Sequence, residues 1–313
     1  MQNNLLNKGI AHMVLATACW GFGTVISKAV LTHVPPLTLL FAQLAVSVIF
    51  LWLLVFLTRT RWQVGENLWR LSLAGWLNPG LAYTFGLVGL AHTTASMSSL
   101  IWAAEPVLIL FLAWLFLQER LGRWQLIFAA VAVTGALMVV GSSSAAGSEA
   151  VLWGNLLVLT AVFCCAIYTV LSRRLVGKVN PLLLTAVQQT VSLLWAAFIW
   201  FVAQQWSSVS DAVSVPGSVW LWTAVSGLLY YGLAFWFYLG GLKQMPASQA
   251  ALFLNLIPIF GLAGAFLFIG EQLTAVQWWG AGLILTAVIT ITRLSPVPST
   301  TPDQPTIKPT TSP

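Results

Sequence analysis

Long apolar blocks, each of about twenty residues, succeed one another along this chain, parted by short stretches that carry most of its charge. A helix needs about 20 residues to cross a bilayer. Windows of that length predict spans near 10–30, 37–57, 69–90, 94–117 and 124–141, then near 151–171, 181–203, 218–241, 247–269 and 275–293. Pro35-Pro36, Pro181 and Pro246 stand where helices should start, because a proline costs least where the N–H has no partner anyway. A Gly/Ser/Ala-rich run around 142–150 breaks the series in the middle. Residues 294–313 are Pro/Thr-rich and polar, a composition that resists folding. The pattern predicts an all-α integral membrane protein of ten transmembrane helices.

The blocks are not independent. LAYTFGLVGL (81–90) returns as LAFWFYLGGL (233–242), and LAWLFLQERLGRWQ (112–125) returns as GAFLFIGEQLTAVQ (264–277). An offset of 152 aligns both without a gap and superposes Gly75 on Gly227, Gly80 on Gly232, Pro106 on Pro258 and Glu119 on Glu271. Nearer the N-terminus the offset is 145, pairing Gly9 with Gly154, Cys19 with Cys164, Thr24 with Thr169, Ser27 with Ser172 and Gln43 with Gln188. Roughly a third of positions from 75 to 137 match their mates, more than apolar bias alone produces in one unbroken register. The chain therefore divides into a first repeat (9–141), a linker (142–150), a second repeat (151–293) and a tail (294–313). Paired membrane repeats are a mark of secondary transporters.

Composition agrees with a bilayer environment: 59% of residues are hydrophobic and 6% charged, against about 25% charged in a soluble domain. The pI of 9.6 invites a nucleic-acid partner until the charges are placed. With the N-terminus inside, 12 of the 13 Lys and Arg residues fall on inner segments and Lys28 alone falls outside. Such asymmetry over short loops predicts that both termini are cytoplasmic, and it accounts for the basic pI without nucleic acid. Five spans per repeat is an odd number, so the second repeat should enter from the opposite face. Cys19, Cys164 and Cys165 all lie in apolar spans, where packing rather than metal or redox chemistry is expected.

Several features together resemble the drug/metabolite transporter superfamily, in its EamA-like branch of ten-helix exporters. They are the Trp20-Gly21 pair with Lys28 at the end of the first span, and Pro-centred fourth and ninth spans. Each of those two runs into a similar turn, Gln118-Glu119-Arg120-Leu121 and Gly270-Glu271-Gln272-Leu273. The resemblance covers residues 9–293 and implies export of small metabolites, amino acids first among them, by alternating access. Many relatives carry an arginine early in the second helix. This chain has Gln43 there and Gln188 in the second half, which argues against phosphate or carboxylate-rich substrates.

Glu105 is the sharpest chemical signal. It lies about twelve residues into the fourth span, where a carboxylate costs about 3 kcal/mol and should face the bundle interior. It suits a proton site or a counter-ion for an ammonium group; a helix-locking carboxyl hydrogen-bonded to a neighbour is the plainer reading. Its repeat mate is Ile257, so symmetry does not demand it. Pro106 and Pro258 each free a carbonyl one turn back, offering a hinge or simply a fixed kink. Trp20 and Trp102 lie away from the interfacial belts, and Trp102 shares a helix face with Glu105. Asn78, Tyr83, Tyr168, Tyr230, Trp236 and Asn255 also fall in or near spans, as cavity lining or as ordinary packing.

His12 is a candidate proton relay or a packed neutral ring. Lys28, Glu119 and Glu271 sit at span ends as candidate gates or caps. Gly135, Gly280 and Gly282 should let the fifth and tenth helices approach closely.

The absence of a Walker A loop, an H-E-x-x-H motif and paired catalytic carboxylates points away from ATP-driven transport and from enzymes. No cofactor or metal is expected. The expected partners are a small-molecule solute and the lipid bilayer, with protons a candidate coupling ion, in a monomer or weak homodimer of the cytoplasmic membrane. Two other readings stay open. One is a sugar-phosphate or nucleotide-sugar antiporter, which would need Lys or Arg in the cavity. The other is a non-transporting scaffold or lipid-modifying protein.

Overall fold

The computed structural model of the chain describes residues 2–61, 68–92, 101–102, 104–119, 121–140, 149–176, 179–206, 216–264, 267 and 275–294. Residues 142–148 of the linker, the tail from 295 on and Glu271 lie outside these residues, as do the side chains of Lys28 and Pro258; residues 149–150, counted with the linker, belong to a helix.

Ten helical rods and no strand occur among the described residues, in the order that the apolar blocks predict. They are α1 (Gln2–Val30), α2 (Pro36–Leu57), α3 (Leu68–Gly75, a π-helical turn Trp76–Leu81, then Ala82–His92), α4 (Glu105–Leu117) and α5 (Arg123–Val140). The second set is α6 (Glu149–Leu175), α7 (Pro181–Trp206), α8 (Gly217–Gly227, a π-helical turn Leu228–Leu233, then Ala234–Leu242), α9 (Ala247–Leu254 with Ile257–Gly264) and α10 (Ala275–Leu294). Pro36 and Pro181 begin α2 and α7, and Pro216 and Pro246 immediately precede α8 and α9.

The rods depart from the predicted spans in three ways. The π turns of α3 and α8 occupy the same positions under the 152 offset, a local widening that hydropathy does not signal. α9 breaks at Asn255–Leu256, just before Pro258, whose ring opposes the carbonyl four residues back. The backbone there changes to three-residue bonds, Asn255 N–H to Leu252 O at 3.3 Å and Leu256 N–H to Phe253 O at 2.8 Å. In α4, Pro106 stands in the first turn, not mid-helix, and the Ala104 N–H bonds Ile101 O at 3.0 Å just before it.

Among the described residues, five helices are long and apolar enough to cross a membrane: Asn7–Ser27, Pro36–Leu57, Leu152–Arg174, Pro181–Gln204 and Gly217–Leu242. α2 shows why. Leu44, Leu51 and Val55 are buried while Ile49, Leu53 and Phe56 are exposed, so both faces are apolar, as in a helix with lipid on one side.

The two halves meet through reciprocal contacts. Gly75 of α3 presses against the Gln188 backbone of α7, and Gly227 of α8 presses against the Gln43 backbone of α2. These are equivalent positions with the halves exchanged. The same exchange relates Gly89 of α3, packed on Gly154 and Val158 of α6, to Gly241 of α8, packed on Gly9 and Met13 of α1. α5 and α10 cross at Gly135, where a Cβ would stand 2.7 Å from the Gly280 carbonyl oxygen. Gly282, expected to share that role, faces open space.

Candidate functional site

The interior face of α1 is set by residues spaced three or four apart: Met13, Thr17 and Trp20 are all buried, while Leu15 on the other side is exposed. Thr24 continues the buried stripe, yet it is exposed. A residue on the inner stripe of a helix is exposed only where the facing elements leave a gap beside it. α4 shows the same logic. Glu105 shares a face with the buried Ile109, Leu112 and Ala113, opposite the exposed Val107, Phe111 and Trp114, and it is only partly buried itself. The carboxylate therefore points inward at a space rather than outward at lipid.

Aromatic rings wall that space. Tyr83 of α3 meets Tyr230 edge-on at 5.6 Å, Tyr231 at 5.3 Å, Phe235 at 6.4 Å and Trp102 at 6.5 Å. Tyr230 and Tyr231 come from the π turn of α8, which is how neighbouring residues of one helix both reach Tyr83. Trp20 packs edge-on against Phe235 at 5.3 Å and Tyr238 at 5.2 Å. Cys165, Tyr230 and Tyr238 lie within electrostatic range of the Glu105 carboxylate. The Tyr230 phenol also makes polar contact with the hydroxyls of Tyr83 and Thr24.

Of the sequence candidates, Glu105, Tyr83, Trp102 and Tyr230 share this wall, with Trp20 joined through Phe235 and Tyr238. Others sit elsewhere. Tyr168 is buried and donates to Gln188 Oε1 at 2.9 Å. The Gln43 amide donates to Ser27 Oγ at 2.8 Å and Ser226 Oγ at 2.7 Å. Asn255 donates to the Leu252 carbonyl at 3.1 Å. Trp236 stacks on Phe237, whose ring lies 6.0 Å from His12, and His12 Nδ1 pairs with Gln244 Nε2 at 3.1 Å. Asn78 is buried in the π turn of α3, and its Oδ1 has no partner among the described residues. Thr24, Tyr238 and Cys165 are site neighbours that sequence reading passed over. Internal symmetry did hold a signal, since Thr24 is one of the matched repeat positions and Cys165 is the mate of Trp20.

A polar clamp lies at the far end of α4. The Glu119 carboxylate accepts from the Ala247 N–H at 2.9 Å, the Ser248 N–H at 3.0 Å and the Ser248 hydroxyl at 2.5 Å, and so caps the start of α9. A carboxylate suits that position because the first N–H groups of a helix lack partners and the helix dipole is positive there. Arg173 of α6 lies within electrostatic reach of Glu119, and Arg174 donates to the Phe116 carbonyl. Gln118 turns the chain toward α9 in the left-handed region, at φ 54°. The second repeat has Gly270 at the matching position. Gln118→Gly is therefore expected to raise stability by about 0.5–1 kcal/mol through relief of strain. Thermal melting in detergent checks this, and a lower melting temperature would contradict it.

Comparison with known proteins agrees with this architecture. The profile of the EamA-like transporter family matches residues 7–141 and 152–293, one copy in each repeat. An uncharacterized transporter of Archaeoglobus fulgidus is 22% identical over 282 residues, covering 90% of this chain and 97% of its own. A probable amino-acid metabolite efflux pump of Salmonella typhimurium is 27% identical over 293 residues, covering 87% and 90%. A protein of known crystal structure shares the fold with a TM-score of 0.75 at 18% identity, over 94% of this chain and 97% of its own. Apolar helices, two matched repeats and a family profile on each establish that this membrane protein belongs to the EamA-like transporter family.

Proposed function

We propose that the protein is a secondary transporter of the cytoplasmic membrane that exports amino acids and related amphipathic amines by alternating access. The observation that carries this reading is Glu105, a carboxylate aimed into a partly open space walled by Tyr83, Trp102 and Tyr230. An ammonium group fits there, paired with the carboxylate and resting on aromatic faces. A coupling proton competing for the same carboxylate is the simplest link between solute and gradient. The efflux relative from Salmonella typhimurium, named for amino-acid metabolites, supports the substrate class.

The reciprocal contacts between halves support two inverted five-helix repeats around the site. In the orientation that the Lys/Arg distribution favours, the Glu119 clamp closes the cytoplasmic end, and Lys28 and Glu271 belong to the outer end. Pro106 and Pro258 then mark where the fourth and ninth helices flex as the two ends alternate.

Counterflow of radiolabelled amino acids into liposomes containing the purified protein tests the proposal. Glu105→Gln keeps the side-chain size and removes the charge. It is expected to lower uptake at least tenfold, a loss equivalent to about 1.4 kcal/mol of binding, and to flatten its pH dependence. Wild-type rate and pH profile in that variant would sink the role given to Glu105.

A further inference from the structure

We infer that the substrate's carboxylate is held on α1, by the hydroxyl of Thr24 and the indole N–H of Trp20, so that the site selects amino acids over the corresponding amines. The inference rests on Glu105 as the ammonium site and adds a second pole.

Two independent observations carry this. The first is Thr24, the exposed residue in an otherwise buried interior stripe of α1. Its hydroxyl bonds the Trp20 carbonyl at 2.8 Å. That carbonyl already receives a backbone N–H within the helix, so the hydroxyl can turn to a ligand and leave no group unpaired. The second is the Trp20 indole. It is 7% exposed, and its N–H finds no acceptor among the described residues. An indole N–H can only donate, and a buried donor without a partner calls for an explanation. An incoming anion supplies one once the ring turns to present the N–H, which is closed off from solvent in this arrangement.

Both donors come from one helix, and the carboxylate comes from another, α4. Trp20 and Thr24 lie four residues apart on the same face of α1. Gly23 lets α8 close against this point, since a Cβ there would stand 3.0 Å from Tyr230 Cβ, and the Tyr230 phenol reaches the Thr24 hydroxyl. Tyr238 meets the Trp20 ring edge-on at 5.2 Å, and Tyr238 and Tyr230 both lie within electrostatic range of Glu105. One pole is donor-rich and the other is an acceptor. A zwitterion satisfies both, whereas an amine leaves the Trp20 N–H unmet.

The test compares L-phenylalanine with phenethylamine, the same molecule without its carboxylate, as competitors for counterflow in proteoliposomes. Thr24→Val preserves shape and removes the hydroxyl; Trp20→Phe keeps a ring and removes the N–H. Each is expected to weaken L-phenylalanine at least tenfold more than phenethylamine, in line with loss of a hydrogen bond to a charged group. Thr24→Ser should restore the preference, which separates lost chemistry from lost folding. Equal losses for the two probes, or no loss, overturn the assignment and leave the export reading standing. A selective loss in Lys28→Gln with Thr24→Val like wild type moves the carboxylate to Lys28 and likewise overturns it. Wild-type protein that carries neither probe defeats the export reading, and this inference with it.

Discussion

Gly75→Val should leave little or no folded protein in the membrane. A Cβ on Gly75 would overlap the Gln188 carbonyl oxygen and stand 2.6 Å from both Cα and C of the same residue. These are backbone atoms in the middle of α7, so no rotamer change relieves the clash and α3 must move away. Overpacking of a core typically costs about 1–3 kcal/mol, and displacing two helices at their crossing exceeds that range. The neighbouring bond from Ser192 Oγ to the Gly75 carbonyl, at 2.6 Å, would break with the crossing. Gly227→Val should act similarly but less severely, because its nearest contact, the Gln43 carbonyl oxygen, stands at 2.7 Å. Gly217→Ala is the control, since nothing lies within 4 Å of its Cβ position. Size-exclusion profiles of detergent-solubilised protein read the outcome. A monodisperse Gly75→Val peak of normal yield would show that the crossing is looser than described.

Glu119→Ala should produce the next largest effect. It strips the start of α9 of its cap and leaves the Ala247 and Ser248 N–H groups without their acceptor in a part-buried place. Loss of a cap costs about 0.5–2 kcal/mol, and each buried donor left unpaired adds about 1–3 kcal/mol. Water will reach some of these groups, so about 2–4 kcal/mol is expected, read as a melting temperature lower by roughly 5–10 °C. Glu119→Gln keeps one acceptor oxygen and should lose less than half as much. Under the proposed mechanism the same change frees α9 from α4 at the cytoplasmic end. A cysteine placed beneath the clamp should then react faster with a thiol reagent applied from that side. Unchanged melting in Glu119→Ala would mean that the clamp contributes nothing to the fold.

What could be read from sequence follows from the solvent. A bilayer sets helix length and leaves no water for unpaired backbone, so runs of apolar residues mark the rods almost by themselves. Duplication was legible too, because glycines and prolines at crossings and kinks tolerate few replacements: Gly75 and Gly227 each meet backbone of the opposite half. Glu105 stood out because a carboxylate in such a span is costly. The partners of these residues were less visible. Glu119 suggested a cap or gate, yet its contact with Ser248 lies 129 residues along the chain. The π turns and the break at Asn255–Leu256 depend on how each helix settles against its neighbours, and hydropathy contains no term for that.

The same solvent hid the site's remaining wall. In a soluble helix, polarity separates the inner face from the outer. In lipid both faces are apolar, as α2 shows, so the pattern does not tell which residues look inward. By itself the sequence determined ten helices, a doubled plan and one inward-demanding charge. Only the tertiary structure decided that Thr24 is exposed on the inner stripe of α1, that Tyr231 and Phe235 gather on Tyr83 while Tyr238 meets Trp20, and that Tyr168 and Asn255 are tied up elsewhere. Helix rotation makes that choice. It is set by packing between helices distant in the chain and not by any local preference along it.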